Sequence, residues 1–335
     1  MKKKSIFLRI SVLIIIGVVS MNLTLAQDVN DKIKVEQYYQ NLGGVEQYIE
    51  IMKTSDSNPV LLWIHGGPGF PDIPILRYFN KEISKNLTLV IWEQRGAGKS
   101  YLKNPNPGDM STAQIVEDGL ELVEILKKKF SKEKIYLAGN SWGSIIGLKM
   151  AQAQPQKFHS YIGISQVINS KRGRELTRDW LRELALKKGD STTIAVLDSL
   201  DEKSITNDLQ ALMKESELVA RYNVHNQDVE IQVVKARSYY DDYKLEDMMK
   251  GAFFSIEFLI NDLTDINFDN LTELDIPVYL IHGRNDWTCP TLLDNEWIEN
   301  LSAPKKEIIW MENSTHGPPM EEPKLFNKIL IDLLQ

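Results

Sequence analysis

Beyond residue 26 the apolar positions follow two distinct rhythms. Val35 to Tyr39 and Val45 to Met52 alternate apolar with polar on either side of Asn41-Leu42-Gly43-Gly44, the pattern of a β-hairpin. Six short runs are instead continuously apolar: Val60 to Ile64, Leu87 to Trp92, Ile135 to Ala138, Tyr161 to Ser165, Val278 to Ile281 and Ile308 to Met311. Runs of that kind mark strands covered on both faces, and the turn and helical stretch that follow each predict crossover connections. The expectation is an α/β fold built on a mostly parallel central sheet with helices on both faces, antiparallel at its first edge.

Between the fourth and fifth of these runs the rhythm changes to the helical period. Arg172 to Lys188, stopped by Gly189, then Asp208 to Tyr222, Val229 to Tyr240 and Lys244 to Leu259 read as amphipathic helices with no strand among them. A helical block inserted before the penultimate strand predicts a cap over residues 169–274, on a core made of 27–168 and 275–335. Residues 169–269 hold 14 basic and 20 acidic residues, so the cap is acidic. Most of those carboxylates read as solvated helix faces.

The first 26 residues do not fit the fold pattern. Lys2, Lys3, Lys4 and Arg9 precede an apolar stretch from Ile10 to Val19, and Thr24-Leu25-Ala26 places small residues where a signal peptidase cuts. Export is the expectation, to the periplasm or the outside; a retained membrane anchor is the alternative, because the uncharged run is near the short limit for a span. Residues 1–26 carry four positive charges and no acid, so the net charge of −7 becomes −11 without them. An acidic chain argues against nucleic acid or anionic lipid as partner, since both require a basic face. The single Cys289 excludes an internal disulfide framework. Five scattered histidines without HExxH or CxxC spacing give no metal site, and no cofactor is implied.

The candidate chemistry begins at Gly139-Asn140-Ser141-Trp142-Gly143, a G-x-S-x-G pentapeptide between an apolar strand and a small-residue helix, Ser144 to Ala153. So sharp a turn presses backbones together, which requires Gly139 and Gly143, and lifts Ser141 toward solvent. A serine hydroxyl needs a base. His65 and His282 each end an apolar strand, where the ring is expected to pack or bond backbone; His159 and His225 lie outside any strand end. His316, in the loop after the last strand, is the candidate base, and Asp286, beyond the preceding strand, the candidate carboxylate that fixes its tautomer. The chain order Ser, Asp, His is that of the α/β-hydrolase fold. An oxyanion would be met by backbone N–H groups of Trp142 and of Gly67 in His65-Gly66-Gly67-Pro68-Gly69.

His65 to Gly69, Gln94-Arg95-Gly96-Ala97-Gly98-Lys99-Ser100 and Ser141-Trp142-Gly143-Ser144 together resemble the signature set of proline iminopeptidases, α/β-hydrolases that release an N-terminal proline. The resemblance is dense from Val60 to Gln154, returns around Asp286 and His316, and does not clearly extend to the cap. It implies the same triad, a small peptide substrate with a free N-terminus, and cap carboxylates that hold its amine, with Glu257 a candidate. The chain departs from the family where Glu93 stands for the usual Asp and Asn140 for a second Gly. Gly98-Lys99-Ser100 is not part of a phosphate-binding loop: the required first glycine is Glu93, whose charge repels phosphate. The readings left open are an esterase or other acyl hydrolase on the same triad, and a non-catalytic binding protein.

Overall fold

The computed structural model describes residues 33–200, 209–223 and 227–334. The targeting segment, the predicted start of the second cap helix at Asp208, and His225 therefore lie outside the described residues. Eight strands form one sheet: β1 (Lys34–Leu42), β2 (Val45–Lys53), β3 (Val60–Ile64), β4 (Thr88–Trp92), β5 (Ile135–Asn140), β6 (Phe158–Ile164), β7 (Val278–Gly283) and β8 (Lys306–Met311). Their spatial order is β1-β2-β4-β3-β5-β6-β7-β8. The hairpin β1–β2 is antiparallel and joins β4 antiparallel, and every later pair is parallel. The expected strands are thus present, with β5 running on to Asn140 and β6 starting at Phe158.

The continuous apolar runs are explained by burial on two faces. Leu62, Ile64, Val90 and Leu137 pack on one side beneath α3 (Thr112–Phe130) and α4 (Trp142–Ala153); α1 (Ile73–Phe79) and α2 (Gly98–Lys103) precede these along the chain. Leu61, Trp63, Leu89 and Ala138 pack on the other, with Phe326 and Leu330 from the C-terminal helix Pro323–Leu334. Each fully buried Leu or Ile contributes about 1.5–3 kcal/mol, so a strand that covers both faces contributes at every position.

Among the described residues, five helices stand between β6 and β7: α5 (Ser170–Lys188), α6 (Ser191–Ser199), α7 (Leu209–Tyr222), α8 (Gln227–Tyr239) and α9 (Leu245–Thr264). α6 is unexpected from the sequence pattern. It starts anew after Gly189 (φ 66) because Asp190 accepts from Thr193 N–H and caps it. Leu181, Ala185, Leu197, Leu218 and Tyr222 give this block a small core of its own. α9 rests on the loop after β4: Ser255 Oγ donates to Gly96 O at 2.9 Å, and a Cβ on Gly251 would come within 2.9 Å of Gly98 N.

Register places the chemistry. Ile64 pairs with Gly139, Gly139 with Gly163, Gly163 with Leu280, and Gly283 with Met311, so the C-terminal ends of β3, β5, β6, β7 and β8 lie side by side. The loops leaving those ends share one rim, the usual ligand edge of a parallel α/β sheet.

Candidate active site

Ser141 joins β5 to α4 with φ 52 and ψ −118, a left-handed conformation that costs a non-glycine residue about 1–3 kcal/mol. The close approach expected of the flanking glycines is present: a Cβ on Gly139 would lie 2.3 Å from Gly143 O, and one on Gly143 2.2 Å from Ile64 O. Ser141 Oγ is 2.9 Å from His316 Nε2, and His316 Nδ1 is 2.8 Å from Asp286 Oδ2. The structure brings the three residues together in a chain of two hydrogen bonds across 175 residues of sequence. His316 is partly open to solvent and Asp286 is buried.

Asp286 is held from four directions. Oδ1 accepts from the backbone N–H of Thr288 at 2.8 Å and of Cys289 at 2.9 Å. Oδ2 accepts from His316 and also from His282 Nε2, at 2.9 Å. Burial opposes its charge, but His316 and the hydrogen bonds from both imidazoles keep the carboxyl well below its ordinary range.

His282 is the main departure from expectation. Instead of packing or bonding backbone, its buried ring bridges two carboxylates, Asp286 through Nε2 and Asp294 through Nδ1. Both nitrogens face acceptors, so the ring carries a proton on each. Burial works against that charge, yet Asp294 and Asp286 push its pKa up to about 10. Asp294 lies near the start of α10 (Thr291–Asn300), where an acidic residue reads as an ordinary first-turn charge. Only the strand-end His with two carboxylates within twelve positions could have pointed to it. His65 does behave as expected: Nδ1–H donates to Gly66 O at 2.7 Å and Nε2 accepts from Gln94 N–H, which fixes a neutral tautomer.

Gln94 also ties the three motif stretches together. Its Oε1 accepts from Trp142 Nε1 at 2.9 Å and its Nε2 donates to His65 O at 3.1 Å. Arg95 and Glu93 anchor the same loop, to different partners. Arg95 forms a buried pair with Asp118 and donates to the carbonyls of Pro107 and Asp109. Glu93 accepts from Lys99 N–H at 2.6 Å and from the Tyr243 hydroxyl ahead of α9; burial raises its carboxyl to about 7, against the pull of those donors and of the Lys99 charge.

Two cavities meet at Ser141, with Gly67 and Thr288 on the border of both. The first, about 220 Å³, has Trp142, Ile168, Leu263, Pro290 and Leu293 in its wall. The second, about 580 Å³, is lined by His316, Asp72, Asn140, Phe70 and Arg237. Gly67 takes φ 118 beside the nucleophile, so both expected oxyanion positions border the first cavity. None of the insertion's described carboxylates lines either cavity, and Glu257 is exposed. Among the described residues, the carboxylate in the wall of the second cavity is Asp72, from the loop before α1. Asp286, Cys289 and His316 bring potential ligand atoms within 4.8 Å. Asp286 has both oxygens committed to hydrogen bonds and burial pushes the Cys289 thiol well up, so this set is arranged for proton transfer rather than for a metal.

Residues 83–323 match the family model for the serine aminopeptidases, S33. A probable aminopeptidase, YbaC, of Bacillus subtilis is 32% identical over 296 residues, spanning 87% of this chain and 93% of that protein. The proline iminopeptidase of Heyndrickxia coagulans is 22% identical over 303 residues, spanning 89% and 98%. Among solved structures, a proline iminopeptidase-related protein of Thermus thermophilus superposes with a TM-score of 0.64 at 20% identity, covering 90% of this chain and 97% of that one.

Proposed function

The chain belongs to the S33 family of serine aminopeptidases within the α/β-hydrolases, and from that premise we propose that it is an exopeptidase releasing proline or another small residue from the N-terminus of short peptides. The observation that supports this reading best is the hydrogen-bonded line from Ser141 through His316 to Asp286, set at the mouth of a cavity of about 220 Å³ that suits a small apolar residue. Ser141 Oγ attacks the carbonyl carbon of the first residue as its proton passes to His316 Nε2. The oxygen of the tetrahedral intermediate takes up its charge against the N–H groups of Gly67 and Trp142. The C–N bond breaks, His316 returns the proton to the leaving amine, and water, activated by the same imidazole, cleaves the acyl-enzyme. Asp286 keeps His316 in the tautomer with its lone pair toward Ser141.

Asp72 is the carboxylate within reach of this cavity system that a free α-amine would meet. The apolar wall of the smaller cavity favours a second reading, hydrolysis of esters with a neutral acyl group. Turnover of prolyl-naphthylamide, acetyl-prolyl-naphthylamide and p-nitrophenyl acetate separates the two. The exopeptidase reading expects the free prolyl amide to be cleaved and the acetylated one refused, with Asp72→Asn losing most of that discrimination. Cleavage of the acetate alone would replace it by the esterase. The basic start and apolar run of residues 1–26 support export of the enzyme.

A further inference from the structure

The larger cavity holds a charge that the chemistry above does not use. Arg237, on α8, lines it together with Ser141 and His316, and its Nη1 is buried without a hydrogen-bond partner. Its guanidinium carbon lies 3.9 Å from the centroid of the Phe70 ring, a cation–π contact that restricts where the fork can sit. Asp72, whose charge it feels, does not hold it: Asp72 Oδ2 accepts from Trp63 Nε1 at 2.9 Å and from Asn140 Nδ2 at 3.2 Å. The contrast with Arg95 and Arg77 is direct, since each of these part-buried or buried guanidiniums has its own carboxylate, Asp118 and Glu50. Leaving a guanidinium buried and unpaired is costly, and here burial draws even its pKa down to about 10. A fork held in this way matches a planar, bidentate anion.

The two cavities also differ in which half of a substrate they can take. The leaving amine must lie where His316 can protonate it, and His316 borders the larger cavity and not the smaller. The acyl side chain then occupies the smaller cavity, its α-amine turns across the shared border at Ser141 toward Asp72, and the leaving residue takes the larger cavity beside Arg237. Asn140 Oδ1, likewise buried with no partner, stands in the same wall as an acceptor for a leaving N–H.

We propose that Arg237 recognises a carboxylate on the leaving residue, so that the enzyme selects short peptides whose C-terminal carboxylate falls in the cavity beside the scissile bond. This rests on the hydrolase reading above, and it narrows the substrates from N-terminally free peptides in general to di- and tripeptides with a free C-terminus. Full-length protein would be assayed on prolyl-alanine, prolyl-alaninamide and the α-amide of prolyl-glutamic acid, and on para-carboxyphenyl and para-carbamoylphenyl acetate. The wild type is expected to favour the free acid over its amide by roughly ten- to hundredfold in kcat/KM, the range of one charged hydrogen-bonding contact. In Arg237→Met that ratio should fall to about one, and Arg237→Lys should keep part of it. Because each ratio is taken within one protein preparation, incomplete folding of a variant lowers both rates and leaves the ratio readable. Preference for the glutamic acid α-amide over the alaninamide would place the recognised carboxylate on a side chain. If the peptides resist cleavage while the carboxyphenyl ester is still favoured and Arg237→Met abolishes that preference, the exopeptidase reading falls and the role of Arg237 stands. Acid and amide cleaved within twofold by the wild type, an unchanged ratio in Arg237→Met, or no turnover of any of the five would overturn it.

Discussion

Replacing His282 tests whether the carboxylate behind the catalytic imidazole is tuned by its own neighbour. In His282→Leu, Asp294 is left as a buried carboxylate without its partner, a change that costs about 3–5 kcal/mol of stability. Asp286 falls from four donors to three. One charge-assisted hydrogen bond contributes about 1.5–3 kcal/mol, and losing it raises the proton affinity of Asp286. Asp286 stays ionised, but its charge acts more fully on His316, and a positive neighbour has gone as well. Both changes favour the imidazolium, so the acid limb of kcat/KM against pH should move upward. His282→Gln places an amide donor near the position of Nε2 while still abandoning Asp294 and the positive charge, so it should lose similar stability and shift the acid limb by less than His282→Leu. Stability should carry a matching alkaline signature. His282 is raised from 6.5 to about 10 in the folded state, so its contribution is complete below about pH 6.5 and is lost as pH climbs through 10. Denaturant midpoints across that window, with kcat/KM profiles on prolyl-naphthylamide for the folded variants, provide the assay. A folded His282→Leu with an unshifted acid limb, or a Gln variant that shifts as far as the Leu variant, would refute the reasoning.

Ser141→Ala and His316→Ala should each abolish turnover with thermal melts close to wild type, whereas Asp286→Asn should retain a small residual rate; full activity in the last would assign the orienting role to another carboxylate. Gly143→Ala should fail to reach a native fold or lose several kcal/mol, because its Cβ would meet Ile64 O at 2.2 Å with no flexible side chain able to yield, and circular dichroism with a melt would reveal a tolerated alanine as a contradiction.

The sheet was legible because burial on both faces leaves an unbroken apolar run, and the triad because each member sits just past such a run: Ser141 after β5, Asp286 after β7, His316 after β8. Strand ends are visible in sequence, and parallel register carries them to one rim. The bridge from Asp286 through His282 to Asp294 was hidden for the opposite reason. A histidine in a strand and an aspartate in a helix are ordinary in isolation, and only the fold turns their side chains toward one another. α6 escaped notice because its start depends on one cap, Asp190, rather than on a long periodic stretch. The family resemblance implied cap carboxylates as the amine site, but neither a resemblance that stops short of the cap nor charge counted along a chain says which face a helix presents, and Glu257 presents its own to solvent.

The two positions where this chain departs from the usual residues of its family acquire a joint explanation in the structure. Glu93, one methylene longer than the usual aspartate, has one carboxylate oxygen on Lys99 N–H at the start of α2 and the other on the hydroxyl of Tyr243 in the helical insertion. Asn140, with a side chain where a glycine would have none, spans to Asp72 and so orients a carboxylate in the wall of the larger cavity. Neither residue hydrogen-bonds to a member of the Ser141–His316–Asp286 line, and each couples the nucleophile's surroundings to an element that bounds the substrate. Departures of this kind leave the acyl-transfer chemistry intact while changing which peptide can occupy the cavities. Selectivity in this enzyme should therefore follow Asp72, Asn140 and Arg237, on the walls around the triad, rather than the triad itself.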